Sequence, residues 1–465
     1  MQRAIVINAV GLTEGLLGPN TPRINAFLAA GKRAYIRPVL PALTCSVQAT
    51  YLTGLTPSGH GIVANGWYNR ELAEVQFWKQ SNHLVQGRKV WEDLRQTEPG
   101  FTCAKMFWWY NMYSSADYSI TPRPMYPADG RKVFDVYTAP ATLREEVKGD
   151  LGDFPFATFW GPAAGMRSPQ GGPDAASRWI AASARWVEEK HQPRLNLVYL
   201  PHLDYNLQRL GPQHPALAED VRTLDQIVGE LIDFFKSRNV RVLLLSEYGI
   251  TGVDKAIHLN RAFRKQGWIS IKEELGLEIL DAGASPAFAV ADHQIAHVYL
   301  NNPALEDKVR TLMEAQPGVE RVYNRKEQAA IGLEHPRAGD LVALSQENAW
   351  FTYYYWLEDR LAPDFARCVD IHRKPGYDPV ELFLDPSLRL PKLKIAARLL
   401  QKKLGFRMLM DVVPLDATLV KGSHGTVPRE KSNYPIVIAD GSDILDGSMV
   451  EPTAIYGLIK KLFGR

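Results

Sequence analysis

Short apolar runs recur along the first 250 positions and alternate with segments whose apolar residues return every three or four places. Ile5-Val-Ile-Asn8, Ala34-Tyr-Ile-Arg-Pro38, Leu195-Asn-Leu-Val-Tyr-Leu200 and Val240-Arg-Val-Leu-Leu-Leu245 have the length and aliphatic content of buried strands. Helices are predicted between them. One opens at Thr21-Pro22, and one runs from Ser46 to Leu52 and ends near Gly54. A third covers Asp174 to Lys190 with Trp179, Trp186 and Val187 on one face. A fourth carries Leu217, Val221, Leu224, Val228, Leu231 and Phe235 at helical spacing. Strand–helix alternation of this kind predicts an α/β fold, a doubly wound, mostly parallel sheet with helices on both faces.

Two regions break the alternation. Residues 110–172 are rich in Pro, Gly and Tyr. Residues 285–410 hold short strands, the aromatic run Trp350 to Trp356, and Val369-Asp-Ile-His-Arg-Lys-Pro-Gly-Tyr-Asp-Pro379. The expected division is a first core part over 1–284, a cap-like insertion over 285–410, and a final core part over 411–465. Tyr353 to Trp356 either stack against a ligand or fill the insertion's core.

Composition narrows the class. The chain has 465 residues, 46% hydrophobic and 23% charged, enough to bury a sizeable core. The net charge of +3 does not suit a nucleic-acid binder. Cys45, Cys103 and Cys368 form no C-x-x-C pair, which fits a reducing compartment. There is no run of about 18 apolar residues and so no membrane span. The first strand begins too early for a secretory leader, so a cytoplasmic location is expected.

Ligands of doubly wound sheets bind beyond the carboxyl ends of the strands. The polar residues expected there are Asn8, Thr44, His202, Asp204, Glu247 and Tyr248. Thr44 also opens a helix, where backbone N–H groups and the dipole favour an anion. Taken alone, such a threonine is ordinarily a helix cap.

The flanking residues change that reading. Pro41-Ala-Leu-Thr44 is followed by Thr53-Gly-Leu-Thr-Pro-Ser-Gly-His-Gly-Ile-Val-Ala-Asn65. This segment resembles the nucleotide pyrophosphatase/phosphodiesterase branch of the alkaline phosphatase superfamily. The resemblance continues in Leu203-Asp-Tyr-Asn-Leu-Gln208, Ser246-Glu-Tyr-Gly249 and Gly422-Ser-His-Gly-Thr426. It implies Thr44 as nucleophile and Asn65 as donor to a phosphoryl oxygen. It implies metal ligands at Asn8, Thr44, Asp204, Gln208, Glu247, Tyr248 and His424, while His60 is expected to be structural. The implied activity is metal-dependent hydrolysis of a phosphodiester or pyrophosphate through a phospho-threonine, with a phosphate ester or nucleotide as substrate.

This chain departs from the family pattern at four of the ligand positions. Asn8, Gln208, Glu247 and Tyr248 stand where the family has Asp, His, Asp and His. Neutral amides and a phenol are weaker donors to zinc. The expectation is therefore one or two divalent ions, Zn²⁺ by resemblance, with Mn²⁺ or Mg²⁺ as harder alternatives. His202, His258, Asp370 and His372 are candidates to replace the lost ligands. His202, two residues before Asp204, is expected on the same side of an extended strand end. Alternatives are a degenerate member that only binds a phosphorylated ligand, or an altered-metal phosphomonoesterase or phosphonate hydrolase. Cys45 at a helix start is a rival nucleophile by position alone. Lys392 to Arg407 is basic and amphipathic, suited to a solvated surface or to contact with an anionic membrane.

Overall fold

The computed structural model describes residues 1–166, 172–441 and 443–464. Residues 167–171, at the end of the Pro- and Gly-rich stretch, lie outside them. The central sheet has nine strands. In spatial order they are Met449–Val450, Lys32–Ile36, Ile436–Ala439, Val240–Leu245, Arg3–Ala9, Leu195–Leu200, Cys103–Met106, Tyr118–Pro122 and Val136–Ala139. The five from Val240–Leu245 to Tyr118–Pro122 run parallel. Ile436–Ala439 and Val136–Ala139 pair antiparallel.

The strands at the centre are buried on both faces, so they read as continuous aliphatic runs and not as alternating ones. Helices Pro22–Ala30, Ala175–His191 and Leu217–Lys236 pack together and against the sheet. The buried face of the longest, Leu217–Lys236, is the expected Leu/Val stripe.

Register sets the position of the site. Asn8 lies opposite Tyr199 on one side and Leu245 on the other. The carboxyl ends of these three strands are level, so Asn8, Ser246-Glu247 and the helix after Leu200 emerge together.

A second, antiparallel sheet has four strands, ordered Ala287–Asp292, Ile295–Leu300, Leu341–Ser345 and Val319–Asn324. Tyr353, Tyr354, Tyr355 and Trp356 are fully buried in the core beneath it. The aromatic run therefore fills a core and presents no face to a ligand. The chain returns to the main sheet at Ile436–Ala439. No helix of the described residues is long and apolar enough to cross a membrane.

One local expectation is corrected. The residues after Leu200 do not continue as extended chain: His202–Leu210 is a helix. Two residues apart on a helix face away from each other, whereas four apart share a face. His202 consequently turns to Asp220, 3.4 Å away, while Asp204 and Gln208 point together toward the sheet ends.

Candidate active site

Thr44 is the first residue of the buried helix Thr44–Thr53, and Leu43 occupies the cap position. The Thr44 hydroxyl is therefore not spent on capping. It lies 2.9 Å from the phenol oxygen of Tyr248. The helix stops at Gly54, which adopts φ +69°, a left-handed conformation suited to glycine. The backbone N–H of Cys45 donates to Asn65 Oδ1 at 3.1 Å, which ties the two ends of the long motif together. Burial pushes the Cys45 thiol well above its ordinary range. A buried thiol of this kind is inert, which removes the rival nucleophile.

Glu247 is fully buried. Its Oε1 accepts from Asn8 Nδ2 at 2.5 Å and from Gln48 Nε2 at 2.6 Å. Burial raises its carboxyl to about 8, against the hydrogen bonds from Gln48, Asn8 and Thr44. Asp204 accepts from Gln208 Nε2 at 2.8 Å and from the Tyr248 hydroxyl at 3.3 Å; burial raises it to about 7. The other amide atom of Gln208, Oε1, accepts from the Tyr377 hydroxyl at 3.0 Å. His424 Nδ1 donates to the Ala42 carbonyl at 2.7 Å, and its Nε2 is 3.9 Å from Asp204 Oδ1. Burial holds this imidazole neutral.

Four rings form a column through the site. Tyr248 stacks on His424 at 3.6 Å, His424 on His293 at 3.9 Å, and His293 on Tyr377 at 3.6 Å. His293 and Asp292 come from the tight turn between strands Ala287–Asp292 and Ile295–Leu300. His293 Nδ1 lies 2.7 Å from Asp292 Oδ1. Asp292 also accepts from the Asn65 backbone N–H at 2.8 Å and from Asn65 Nδ2 at 3.1 Å. Burial raises Asp292 to about 8. Its two donors from Asn65 oppose that burial by favouring the ionised form, and in that form Asp292 accepts from the Nδ1–H of His293. His293 Nε2 is then a lone pair; it is buried and has no hydrogen-bond partner.

Sequence reasoning missed four of these residues: Gln48, Asp292, His293 and Tyr377. One signal was available. Only His293 and Gln294 separate two apolar strands, and His293 takes φ +58° where a two-residue loop ordinarily has Gly, Asn or Asp. A non-glycine residue held in that conformation is often a functional one.

The proposed substitute ligands do not join the cluster. His202 faces Asp220, His258 Nδ1 pairs with the Thr352 hydroxyl, and His372 Nδ1 with the Phe77 carbonyl. Asp370 sits in the His372 loop, where its backbone N–H donates to Glu381. His60 is structural, bonded to Thr50 and to the backbone of Ile62, and burial lowers it to about 3.

The donor set does not fit a pair of zinc ions. Both amide atoms of Gln208, the Tyr248 hydroxyl and the inner oxygens of Asp204 and Glu247 are engaged in hydrogen bonds with one another and with Tyr377, Gln48 and Thr44. The donors left over are Asn8 Oδ1, Glu247 Oε2 and the Nε2 atoms of His293 and His424. Among the described residues no group of three or more His, Cys, Asp or Glu is arranged to hold a metal ion.

Around Tyr377 stand the half-buried Trp78 and Trp160, with Trp109 against Trp78. Lys79, Arg123 and Lys132 surround His372, five residues before Tyr377. This aromatic approach to Tyr377, with basic residues beside it, is the candidate mouth of the site.

A family model for type I phosphodiesterase / nucleotide pyrophosphatase matches residues 4–378. An uncharacterized pyrophosphatase/phosphodiesterase of Schizosaccharomyces pombe is 25% identical over 242 residues, 49% of this chain and 41% of that protein. Ectonucleotide pyrophosphatase/phosphodiesterase family member 3 of Bos taurus is 21% identical over 238 residues, 49% of this chain and 22% of that protein. The matched segment thus spans less than half of either relative. Two solved structures share the fold. Murine ectonucleotide pyrophosphatase / phosphodiesterase 5, an inactive variant in complex with AMP, has a TM-score of 0.59 at 14% identity, covering 100% of this chain and 95% of that one. Phosphonoacetate hydrolase from Sinorhizobium meliloti, in complex with phosphonoformate, has a TM-score of 0.62 at 12% identity, covering 99% and 96%. With three quarters or more of its length matched from Ala4 onward, this chain belongs to the type I phosphodiesterase / nucleotide pyrophosphatase family.

Proposed function

We propose that this protein hydrolyses a phosphodiester or pyrophosphate through a covalent adduct on Thr44, with proton transfers by side chains taking the place of the charge stabilisation that metal ions would supply. The observation that carries this reading is the uncapped Thr44 hydroxyl, set at a helix start between Tyr248 and Glu247.

In the first step Thr44 Oγ attacks phosphorus and its proton passes through the Tyr248 hydroxyl to Asp204. The bond from phosphorus to the leaving oxygen breaks, and that oxygen takes a proton from Glu247, which burial keeps protonated near neutral pH. With the Cys45 N–H held by Asn65, the first-turn N–H groups left over and the dipole of helix Thr44–Thr53 favour the negative charge that grows on the phosphoryl oxygens. In the second step a water attacks phosphorus and gives its proton to His293 Nε2. Thr44 Oγ leaves and recovers its proton from Asp204 through Tyr248, and the proton held by His293 returns through solvent to Glu247. Asp292 orients His293 and balances the imidazolium formed. The tryptophans at the mouth suit a leaving group with an aromatic or extended apolar part, and the basic rim suits its phosphate charge. The segment 285–410 acts as the cap that supplies Asp292, His293 and Tyr377.

The test is a bis-aryl phosphodiester assay on wild type and Thr44→Ala, in chelator and with Zn²⁺, Mn²⁺ or Mg²⁺ added. Activity in chelator that Thr44→Ala loses supports the reading. Activity only with added metal, or equal activity in both proteins, overturns it. A second variant tests the water step. His293→Gly suits the positive φ and leaves an imidazole-sized hole. It should release one equivalent of aryl alcohol, hold the aryl-phosphoryl group on Thr44, and resume turnover when free imidazole is added.

A second reading has its own support. The carboxyls are engaged within the cluster and Thr44 is only 4% exposed. That would suit a protein that holds a phosphorylated ligand without turnover, and tight binding by inactive wild type would favour it.

A further inference from the structure

Helix Pro391–Lys403 has no buried residue. Leu393, Leu400 and Leu404 are 57–65% exposed, and Phe406 just beyond the helix is 65% exposed. From 386 to 410 the chain has seven Lys or Arg and no Asp or Glu. Two of these cations turn inward: Lys394 and Arg398 bond Asp411 at 2.9 and 3.2 Å and fasten the helix to the protein. Lys392, Lys402 and Lys403 form no salt bridge among the described residues, while Arg407 faces Asp129.

The helix does not stand alone. Lys402 Nζ reaches the Lys132 carbonyl, and Arg407 lies beside Gly130. Lys132 and Gly130 belong to a turn closed by paired hydrogen bonds between Met125 and Val133. That turn carries its own exposed rings, Tyr126 at 55% and, next to it, Phe134 at 51%. It also faces the loop of Asp370 and His372, through Tyr126, Arg123 and Lys132. The same loop delivers Tyr377 to the site. Exposed leucines and aromatic rings interleaved with unpaired cations therefore form one apron beside the mouth.

We propose that this apron docks the protein onto an anionic membrane surface, with the apolar side chains entering the boundary between headgroups and acyl chains and the cations over acidic headgroups. The charge pattern selects this partner. A second copy of the same face would bring cation against cation, whereas anionic lipid neutralises it. Exposed leucines on one helix beside unpaired lysines match the sequence signature of interfacial helices. Docked in this way, the mouth would sit next to the bilayer.

The experiment is vesicle cosedimentation of the full chain, with phosphatidylcholine alone and with phosphatidylglycerol added. Binding is expected to the anionic vesicles, weakened as NaCl rises from about 0.1 to about 0.5 M. Leu400→Glu/Leu404→Glu and, separately, Lys402→Glu/Lys403→Glu should each weaken it roughly tenfold or more while leaving thermal unfolding unchanged. Both pairs are exposed, so neither disturbs the core. No binding, or equal binding to neutral and anionic vesicles, overturns the proposal. So does light scattering that finds a dimer which Leu400→Glu/Leu404→Glu dissociates, since a second copy would then cover the face. The readout is binding, so it stands or falls apart from the hydrolytic reading.

Discussion

The phenol oxygen of Tyr248 lies 2.9 Å from the hydroxyl of Thr44 and 3.3 Å from Asp204. One phenol hydroxyl thus links Thr44 to a carboxyl. Tyr248→Phe removes both bonds and keeps the ring stacked on His424. The expected result is a loss of kcat of about 10- to 100-fold with a stability change of about 1 kcal/mol. Steady-state kinetics beside thermal unfolding separates the two effects; unchanged kcat would show that the phenol has no part in the chemistry.

Glu247 predicts a pH dependence. Its folded pKa, about 8, is above the ordinary carboxylate value because the side chain is buried. The folded state therefore binds the proton more tightly than the unfolded chain. This contribution is fully present below about pH 4 and is lost as the pH rises toward 8. Glu247→Gln keeps the neutral shape at every pH. The melting temperature of the variant should rise relative to wild type between pH 5 and pH 9 (conditions bracketing about 8). A constant difference across that range would mean that Glu247 is already ionised.

Lys374 bonds both Asp378 and Glu381, at 2.7 and 2.8 Å, with all three side chains buried. This cluster brackets Tyr377. Lys374→Met leaves two buried carboxyls facing each other without a cation. A loss of about 3–5 kcal/mol is expected, read by urea unfolding. Hydrogen exchange should rise first in the loop that carries Tyr377; protection unchanged there would contradict the anchoring role.

Gly422 lies where a Cβ would come 2.1 Å from the Leu207 carbonyl oxygen. Leu207 is on the helix of Asp204 and Gln208, and His424 is two residues on. Gly422→Ala must push these apart. It should cost about 3 kcal/mol and lower activity together with stability. A variant as stable as wild type would mean that the helix can shift freely.

Much of the molecule was legible in one dimension. Val240–Leu245 and Leu195–Leu200 announced themselves because strands buried on both faces must be aliphatic throughout. Leu217–Lys236 announced itself because its buried stripe repeats with the helix turn. The segment Pro41 to Asn65 was legible because each residue serves one local structure. Thr44 opens a helix, Gly54 ends it, and Asn65 returns to the Cys45 N–H.

What chain order could not convey was which distant side chains would gather around Thr44. His202, His258 and His372 had the right chemistry, but their backbones aim them elsewhere: His202 because its segment coils into a helix, His372 because it bonds the Phe77 carbonyl. His293 reaches the site because a two-residue turn of the second sheet packs against Asn65, more than 200 residues away in the chain. Periodicity and motifs report contacts a few residues apart, so they determined the elements, the family segment and the position of Thr44. The polar network around Thr44 depends on how two sheets dock, and only the tertiary structure decides that Tyr248, His424, His293 and Tyr377 share one column.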